Sequence, residues 1–417
     1  MLLSFRVANH RSLRDEQQLL LTDPASDAWE EGEPCAEGTP LPVTGVFGPN
    51  ASGKSNVLDA LSFMARMIRW SFRESEPDSR IRRRPFALDP IHLARPSTYI
   101  VDLRIAEHRY TYGFSVDDTR VISEWLYLYR SNDREIVFER DGDDYSSETA
   151  RDLIDMASVI DIAQNVLLLS VAARSRVKNE AIRSVYGWFS DRFAMKRSLD
   201  TADLRFRLST SSKFNDELLS RLTELLSAAD TGISHLEFRR SERTPEDSLL
   251  RKRERGELIF HHRGVETEHP LTLDDQSHGT LALLDIGLRA LQALKHGWLL
   301  AIDELDGSLS PFLTARLIES FRDPEANPRH AQLVFTSHDT ALLGHIRGTE
   351  VLRREEIWLV QKDESGCTEL FPLSSYRPDE DENRMRRYLA GRYGAVPHID
   401  DDLFAVALAI RDRNQVE

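Results

Sequence analysis

The sequence is poor in cysteine: its two cysteines, Cys35 and Cys367, lie far apart in a chain of 417 residues. This excludes a disulfide framework and a cysteine-rich zinc site, and it fits a reducing compartment. Long apolar runs are also missing, since the longest, around 166–173 and 298–302, are far shorter than a membrane span. The first residues lack the apolar core and cleavage site of a signal peptide. We therefore expect a cytoplasmic protein without membrane contact.

Positive charge is in deficit. Lys and Arg number 54 against 69 Asp and Glu, which gives a formal net charge of -15, so a global basic field for nucleic acid is absent. Two local basic runs, Arg80–Arg84 and Arg251–Arg255, leave a contact with nucleic acid or an acidic partner open. Acidic residues flank both runs, which favours solvated loops instead. The histidines, including His261 and His262, show no metal-ligand spacing along the sequence.

One segment matches the complete phosphate-binding pattern G-x-x-x-x-G-K-[ST]: Gly48, Pro49, Asn50, Ala51, Ser52, Gly53, Lys54 and Ser55. Its glycines let the backbone wrap closely around an anion, and the helix that follows adds its positive N-terminal end. Lys54 would reach the β and γ phosphates of ATP, and Ser55 would ligate Mg²⁺. Asn56, directly after the pattern, is predicted as a further nucleotide contact. An apolar strand at 43–47 and a helical pattern from Lys54 onward supply the required context. We predict nucleotide binding here rather than a chance glycine-rich turn.

A second motif is an apolar strand pattern at 299–302 that ends in Asp303 and Glu304. Asp303 would hold Mg²⁺, as phosphoryl-transfer sites require. Glu304 is then placed to polarise the attacking water as a general base. A solvated Asp-Glu pair at a strand end is common, so this interpretation depends on the phosphate loop being present as well.

Two further segments carry candidate site residues. The strand pattern at 333–336 leads to His338, and the carboxyl end of a core strand is where ligands bind in open α/β sheets. His338 would contact the γ-phosphate, or it would simply lie at the surface before the next helix. Ser277 and Gly279 open a long amphipathic helix and would form a second anion site. The alternative for Ser277 is a plain N-cap.

The remaining pattern predicts the other elements. Further strands are expected at 2–7, 18–21, 234–238 and 258–262, and an antiparallel meander at 99–105, 110–116, 123–129 and 135–140. Helices are expected at 150–162, 178–193, 215–229 and 402–411, and a surface loop at 23–40. No heptad pattern lasts long enough for an extended coiled coil.

The order of the segments GPNASGKSN, QSHGT, LLAIDE and FTSHD resembles the ABC-type ATPase heads of the SMC and RecF group. It is more closely similar to the compact ATPases related to the OLD (overcoming lysogenization defect) family, which occur in phage-defence and abortive-infection operons. Residues 5–12 resemble the first strand of that group, and residues 388–397 resemble the abortive-infection ATPases of the RloA type. The helical middle matches only in general layout.

The resemblance implies roles for several residues. Ser277 and Gly279 would form the signature motif that contacts ATP on a second subunit, and His338 would be the switch histidine. ATP would then be sandwiched between the two heads of a homodimer. His278 departs from the small residue usual in the signature, and Ser310 stands where related heads have aspartate or histidine.

Two other features of the resemblance are missing from the sequence. A glutamine of the Q-loop type is not identified, since Gln164 is a poor candidate. OLD nucleases carry a Toprim nuclease domain after the ATPase, and the residues that follow His338 here are too few for another domain of typical size. The resemblance therefore implies that a separate effector protein, such as a Toprim-like nuclease, supplies any destructive chemistry.

These observations predict an α/β fold of the ABC-type P-loop NTPase head, with a mixed β-sheet, flanking helices, an antiparallel β lobe and a helical insertion. The nucleotide-binding core would span 1–75 and 233–375, the antiparallel lobe 76–146, the insertion 147–232 and the C-terminal tail 376–417. The predicted function is that of an ATP-hydrolysing subunit of a bacterial anti-phage system. The alternatives are a DNA-repair ATPase acting directly on DNA and an ATP sensor with little turnover.

Overall fold

The computed structural model of the chain describes residues 1–23, 38–74, 76, 79–130, 133–146, 163–174, 179–197, 199–210, 216–229, 231–240, 256–307, 309–376, 383–396 and 400–408. The predicted helix at 150–162, the basic run at 251–255 and most of the predicted loop at 23–40 lie outside these ranges. Within them, no helix has the length and the apolar character needed to cross a membrane.

The strands follow in chain order as β1 (Leu2–Ala8), β2 (Gln17–Leu20), β3 (Val43–Phe47), β4 (Ser97–Ile105), β5 (His108–Val116), β6 (Val121–Arg130), β7 (Asp133–Asp141), β8 (Asp144–Ser146), β9 (Phe193–Lys196), β10 (Ile233–Arg240), β11 (Gly256–Arg263), β12 (Glu268–Leu271), β13 (Leu299–Ile302), β14 (Gln332–Ser337), β15 (His345–Ile346), β16 (Thr349–Glu350), β17 (Ile357–Lys362) and β18 (Thr368–Pro372).

The α-helices are α1 (Lys54–Glu74), α2 (Pro90–Ala94), α3 (Leu168–Ala172), α4 (Glu180–Asp191), α5 (Thr201–Thr210), α6 (Asp216–Ala228), α7 (His278–His296), α8 (Pro311–Arg322), α9 (Arg384–Leu389) and α10 (Asp401–Leu408). Several begin with a side-chain cap that matches their sequence. Asn179 accepts a hydrogen bond from the backbone of Ile182 at the start of α4, and Ser310 accepts one from Leu313 at the start of α8.

Two large sheets organise the molecule. Seven strands in the order β2-β1-β4-β5-β6-β7-β8 form an antiparallel sheet, and six in the order β18-β17-β3-β14-β13-β9 form a mixed sheet. In the mixed sheet only β18 runs antiparallel to its neighbour, so β17, β3, β14, β13 and β9 end at one common edge. Strands β10, β11 and β12 form a separate antiparallel sheet. The common edge of the parallel strands is where the predicted site residues fall.

Helix α1 lies between the two large sheets and packs against β1 and β4 of one and β14 of the other. Its buried side chains, which include Val57, Leu61, Met64 and Ile68, are apolar on most of its circumference. A helix that is apolar over so much of its surface is stable only when it is covered on several sides. The apolar core around α1 therefore fixes the helix that starts directly after the phosphate loop.

A second apolar core lies on the other side of the mixed sheet. It combines residues of α6, α7 and α8 with those of β10, β11, β13 and β14. Leu284 and Ile286 on α7 are buried there, together with Leu300 and Ile302 on β13. The amphipathic pattern predicted for α7 thus covers the strand that carries Asp303 and Glu304.

The predicted fold class is confirmed, with a mixed sheet, flanking helices and an antiparallel lobe. The four strands of the predicted meander are present as β4 to β7, and the helices predicted at 178–193 and 215–229 are present as α4 and α6.

The sheet partners of some predicted segments differ from the sequence-based layout. β1 and β2, assigned by sequence to the nucleotide-binding core, pair within the antiparallel sheet through β4. β9, inside the segment predicted as a helical insertion, pairs with β13 in the mixed sheet. Both pairings join segments far apart in sequence, which local patterns do not encode. The domain boundaries themselves stay a prediction.

Candidate nucleotide-binding site

The predicted phosphate loop forms the turn 48–53 between β3 and α1, and its two glycines have steric reasons to be there. A Cβ at Gly48 would lie 2.3 Å from the carbonyl oxygen of Val360 on β17. Gly53 has a φ of +111°, and a Cβ there would lie 2.2 Å from Thr368 Oγ1. Glycine is the residue that tolerates both the contact and the left-handed backbone. The loop is therefore pressed closely against the neighbouring strands.

A chain of hydrogen bonds holds the loop from outside. Asn56 Nδ2 donates to Ser12 Oγ over 2.6 Å, Ser12 Oγ lies 2.6 Å from Thr368 Oγ1, and Thr368 Oγ1 donates to the carbonyl of Ser52 over 2.7 Å. Asn56, predicted as a nucleotide contact, uses its amide here to anchor the turn after β1. Thr368 belongs to no predicted motif. Ser12 ends the segment 5–12 that resembles related heads, but the sequence does not predict that it supports the loop.

The crest of the loop faces outward. Asn50 and Ala51 are exposed, and Ala51 has a left-handed φ of 63°. Ser52 is buried, and its Oγ has no hydrogen-bond partner among the described residues. The predicted contacts therefore differ in access, with Asn50 and Ala51 open to solvent and Ser52 enclosed.

Lys54 points its amine back into the loop. Its Nζ donates to the carbonyl of Gly48 over 2.8 Å and to that of Pro49 over 2.9 Å, and the residue is 7% exposed. Burial lowers the pKa of Lys54, and the carboxylate of Asp306 is the strongest of the groups that oppose this shift. The amine thus lies between the loop and the acidic residues that follow β13.

Ser55 and Asp303, the two predicted Mg²⁺ ligands, are brought together. Ser55 Oγ donates to Asp303 Oδ1 over 2.9 Å, although the residues are 248 positions apart. Thr336 Oγ1 donates to the same carboxylate oxygen over 2.6 Å and accepts the backbone N–H of Glu304 over 2.8 Å. The sequence predicts Thr336 only as part of a strand, because threonine is common in strands. The structure makes it the link between both acidic residues and β14.

Glu304 has an unusual backbone. Its φ is 53°, in the left-handed region that a non-glycine residue rarely adopts, and its side chain is exposed. Such conformations persist where the surroundings impose them, and they cluster at functional sites. The hydrogen bond from the N–H of Glu304 to Thr336 is one such restraint. The backbone of Glu304 is therefore held beside Asp303, while its exposed side chain can reach a ligand.

His338 pairs with a third carboxylate after β13. Its Nδ1 lies 3.0 Å from Asp306 Oδ2, and the side chain of Asp306 is 6% exposed whereas that of His338 is 59% exposed. The sequence predicts no role for Asp306, and Ser310 stands where the related families have aspartate or histidine. Ser310 is instead the N-cap of α8. His338 thus lies at the carboxyl edge of the sheet, as predicted, with its ring attached to the loop after β13.

Ser277 and Gly279 lie at the exposed start of α7. Ser277 Oγ accepts the backbone N–H of Thr280 over 3.1 Å and lies 2.8 Å from Thr280 Oγ1. Among the described residues, no hydrogen bond joins Ser277 to the phosphate loop of the same chain. The structure therefore does not bring the predicted signature residues into the site formed by Lys54 and Asp303.

Among the described residues, no glutamine side chain forms a hydrogen bond with Ser55, Asp303, Glu304 or His338, so a Q-loop glutamine stays unidentified. β13 lies between β14 and β9, and β9 ends at Lys196, whose carbonyl accepts the N–H of Asp303 over 2.9 Å. Lys196 is 5% exposed, its pKa is lowered by burial, and it lines a cleft of about 310 Å³ together with Arg197 and Arg289. Gln164 is exposed, and its carbonyl pairs with Val121 at the antiparallel sheet.

Asp59, one turn after Ser55 on α1, pairs with basic residues from two other segments. Its carboxylate lies 3.2 Å from His10 Nε2 and 2.5 Å from Arg11 Nε, and it pairs with Arg197. Burial alone would raise the pKa of Asp59, but the hydrogen bond with His10 and the two arginine charges hold that pKa below its ordinary value. The start of α1 is therefore tied to the turn after β1 and to the end of β9.

The basic run at 80–84 is partly structural. Arg83 is 8% exposed, donates to Asp118 Oδ1 over 2.7 Å, and also donates to the carbonyls of Leu93 and Arg95. Arg82 and Arg84 are exposed. This agrees with the interpretation of residues 80–84 as a surface loop. Because Arg83 is buried and paired with Asp118, fewer positive charges of this run can contact a partner.

The sequence also matches the model of a known protein family. A family profile described as "AAA domain, putative AbiEii toxin, Type IV TA system" matches residues 43–344, which include every site residue from Gly48 to His338. No curated protein matches the sequence.

Similar solved structures include two SMC heads. One is an SMC head bound to the C-terminal winged-helix domain of ScpA, with a TM-score of 0.45, 12% identity, and coverage of 89% of this chain and 96% of that chain. The other is an SMC head with an extended coiled coil, bound to the C-terminal domain of ScpA, derived from Pyrococcus furiosus, with a TM-score of 0.43, 12% identity, and coverage of 90% and 97%. Since the family profile spans more than half of the sequence, the chain belongs to the family of AAA domains described as the putative AbiEii toxin of type IV toxin–antitoxin systems.

Proposed function

We propose that the chain is an ATP-binding and ATP-hydrolysing subunit of a bacterial anti-phage system, of the OLD-related, RloA-like kind. The observation that carries the ATPase part is the contact of Ser55 Oγ with Asp303 Oδ1 at 2.9 Å, directly beside Lys54 in a complete phosphate loop. Oxygen donors of this type, from a hydroxyl and a carboxylate, are those that Mg²⁺ takes in nucleotide sites. The donor set thus fits a Mg²⁺–ATP complex held by Ser55 and Asp303.

When bound, Mg²⁺ neutralises charge on the β and γ phosphates of the nucleotide. Residues of the chain bind the phosphates and accept the proton of the attacking water. The amides of the loop and the N-terminus of α1 bind the phosphates, and Lys54 adds a positive charge at the γ-phosphate. Glu304, exposed next to Asp303, accepts a proton from the attacking water. His338, held by Asp306, is positioned to contact the γ-phosphate from the end of β14.

The proposal includes a homodimer. Ser277 and Gly279 are exposed at the start of α7 and make no described hydrogen bond to their own phosphate loop. A helix N-terminus offers free amides to an anion. In the proposed dimer, α7 of one subunit directs these amides to the nucleotide held by the loop of the other, so that ATP binding closes the dimer and hydrolysis opens it.

The biological role rests on the resemblance to OLD-related ATPases and on the family description, which names a toxin of a toxin–antitoxin system. In the proposal, closing and opening of the dimer holds or releases a separate effector, such as a Toprim-like nuclease. Co-expression with the products of neighbouring genes, followed by phage challenge, tests this part. Unchanged phage growth for wild type and for Glu304→Gln alike would contradict the defence role.

The ATPase part is tested with the purified chain and Mg²⁺–ATP. Lys54→Ala should remove turnover and weaken nucleotide binding, whereas Glu304→Gln should keep binding and lower turnover by about 10²- to 10⁴-fold, the usual contribution of a general base. Lys362→Ala, which changes an exposed lysine at the end of β17, is the matched control and should leave turnover unchanged. Equal turnover in wild type and Glu304→Gln would instead support an ATP sensor.

The shared site is tested by mixing two inactive variants. Lys54→Ala disables the loop of its own subunit, and Ser277→Arg blocks the site of the partner. A mixed dimer contains one site with both defects and one intact site. If subunits of a two-fold dimer exchange at random, about half of the dimers are mixed, so about a quarter of all sites should be intact. If no activity returns although the subunits exchange, the site is not shared in this way.

A further inference from the structure

The sheet formed by β10, β11 and β12 carries a cluster of metal-ligating side chains outside the nucleotide site. His235 on β10, His261 on β11 and Glu268 on β12 each offer one ligand atom, and these atoms lie within 4.8 Å of one another. A fourth group, Glu237, lies on β10 with its Oε2 3.1 Å from His261 Nε2. The spacing of these residues along the sequence does not predict the cluster, because its members come from three strands.

The strand register brings the two histidines to one face. His235 and His261 are direct partners across β10 and β11, and their rings stack with centroids 3.9 Å apart and planes inclined by 11°. The register shifts between Ile233 and His235. Continuing the register of Ile233 with His262 would place His235 opposite Phe260, which is fully buried. The irregularity therefore turns His235 from the core side to the side of His261, as a β-bulge does.

The carboxylates complete the surroundings of the rings. Glu268 Oε2 lies 3.3 Å from His235 Nδ1, so it faces the stack from β12. Glu237 is two residues from His235 and thus on the same face of β10. Its contact with His261 is the carboxylate–histidine pair that orients ligating imidazoles and is found around many metal sites. Arg239 Nη2 lies 3.2 Å from the same Glu237 oxygen, so its charge offsets one of the two carboxylates. One carboxylate charge stays unbalanced beside the two imidazoles, which suits a cation.

We propose that His235, His261 and Glu268 bind one divalent transition-metal ion of the Zn²⁺ type, with Glu237 orienting the ring of His261. Imidazole nitrogens and a carboxylate oxygen are a common ligand set for Zn²⁺, whereas Mg²⁺ prefers oxygen ligands throughout. Zn²⁺ bound by nitrogen or oxygen has ligands at about 2.0–2.2 Å, so ligand atoms that now lie within 4.8 Å need only small side-chain rotations to close on the ion.

The ion would link the three strands of the sheet that precedes α7. Its ligands come from all three strands, and β12 ends at Leu271, shortly before Ser277 at the start of α7. His262, on the opposite face of β11, lies 3.0 Å from Gln276 Oε1 and joins the same sheet to the residue before Ser277. Binding of the ion to the folded sheet alone would stabilise the folded chain.

The test uses the untagged full-length chain, stripped of metal with a chelator and titrated with Zn²⁺ alone by calorimetry. We expect saturable binding of one ion per chain, unaffected by millimolar Mg²⁺, and an increase in melting temperature when Zn²⁺ is added. His235→Ala and His261→Ala should abolish both effects. Glu237→Gln should weaken binding by about 10- to 100-fold, the usual cost of losing a group that orients a ligand.

His262→Ala is the matched control, because it removes a neighbouring imidazole from the other face of β11 and should leave Zn²⁺ binding unchanged. All variants are compared by circular dichroism, since His235 and His261 lie at the surface of the sheet and their removal should not unfold it. The proposal is overturned if the wild-type chain shows no saturable binding. It is equally overturned if His262→Ala loses Zn²⁺ as completely as His261→Ala does, or if His235→Ala and His261→Ala bind Zn²⁺ like the wild type.

Discussion

The imidazole of His338 lies 3.0 Å from the carboxylate of Asp306, so the residue at the end of β14 is attached to the turn that follows β13. The backbone N–H of His338 also faces Asp306 Oδ2, at 3.4 Å. Asp306 is nearly enclosed while His338 is largely exposed, which makes the carboxylate the fixed member of the pair. The two motifs that end in Glu304 and His338 therefore share one structural connection.

Replacing either member of this pair should slow ATP turnover without preventing ATP binding. Asp306→Asn removes the charge that holds the ring, and His338→Ala removes the ring itself. If the two act as a unit, the double variant should be no slower than the slower single variant, with a coupling free energy of about 1–2 kcal/mol in a double-mutant cycle. His345→Ala, which changes an exposed histidine on β15, is the control. Strictly additive effects on kcat would contradict the coupling.

Thr336→Val should damage both stability and turnover. The substitution leaves the part-buried backbone N–H of Glu304 without its acceptor and removes a donor to Asp303. We expect it to cost about 1 kcal/mol for each hydrogen bond removed. Thr44→Val is a matched control on β3. Thr44 is equally buried, but its hydroxyl has no partner among the described residues, so its replacement should cost little. Equal urea midpoints for the two variants would show that the contacts of Thr336 do not matter.

Thr368→Val should weaken nucleotide binding although Thr368 would not touch the nucleotide. Its hydroxyl donates a hydrogen bond to the carbonyl of Ser52 and is itself hydrogen-bonded to Ser12. The substitution would remove this support of the loop, which we call the brace between Ser12 and Thr368. We expect a higher Kd for a fluorescent ATP analogue and a loss of about 1 kcal/mol of stability per hydrogen bond removed. Thr22→Val serves as the comparison, because Thr22 is also buried but has no described partner for its hydroxyl. An unchanged Kd would contradict a role of the brace in binding.

The free energy of unfolding should fall as the pH is lowered from about 7 to 5, the range around the ordinary imidazole pKa of about 6.5. Burial lowers the pKa of His10 in spite of the hydrogen bond with Asp59, so the folded chain resists a proton that the unfolded chain accepts. Tyr99 hydrogen-bonds to the other ring nitrogen of His10, and the charges of Arg11 and Arg84 lower the pKa of His10 further. The pKa of Asp59 is also lowered, and its effect is confined to more acidic solution.

His10→Gln should flatten this part of the pH dependence, because glutamine does not titrate. Urea unfolding of wild type and variant at half-unit pH steps measures the difference in slope. His269→Gln, at an exposed histidine of β12, should keep the wild-type slope. If His10→Gln and wild type lose stability in parallel between pH 7 and 5, His10 is not the group responsible.

The sequence predicted the elements whose signals are local. The apolar segment Val43–Phe47 became β3 with the same bounds, and the apolar spacing after Gly279 became α7. The acidic pair Asp303 and Glu304 could be singled out because it follows a buried strand pattern next to a complete phosphate loop. In each of these cases neighbouring residues carry all of the information that the prediction needs.

What the sequence could not provide depends on strand pairing. The alternation at 2–7 predicted a strand but not that β1 pairs with β4, and the helix expected to reach Phe193 stops at Asp191 so that β9 can pair with β13. Thr336 and Asp306 gain their importance only from neighbours on other strands. The cluster around His235 depends on a one-residue change of register, which no periodicity along a single strand reveals.

The brace between Ser12 and Thr368 has a consequence for biosynthesis. These two residues are 356 positions apart, and they meet at the carbonyl of Ser52. A growing chain that has left the ribosome only as far as β14 already contains the whole loop from Gly48 to Ser55, yet it lacks the strand that supports it. We therefore expect the chain to become able to bind nucleotide only late in translation, after β18 has left the ribosome.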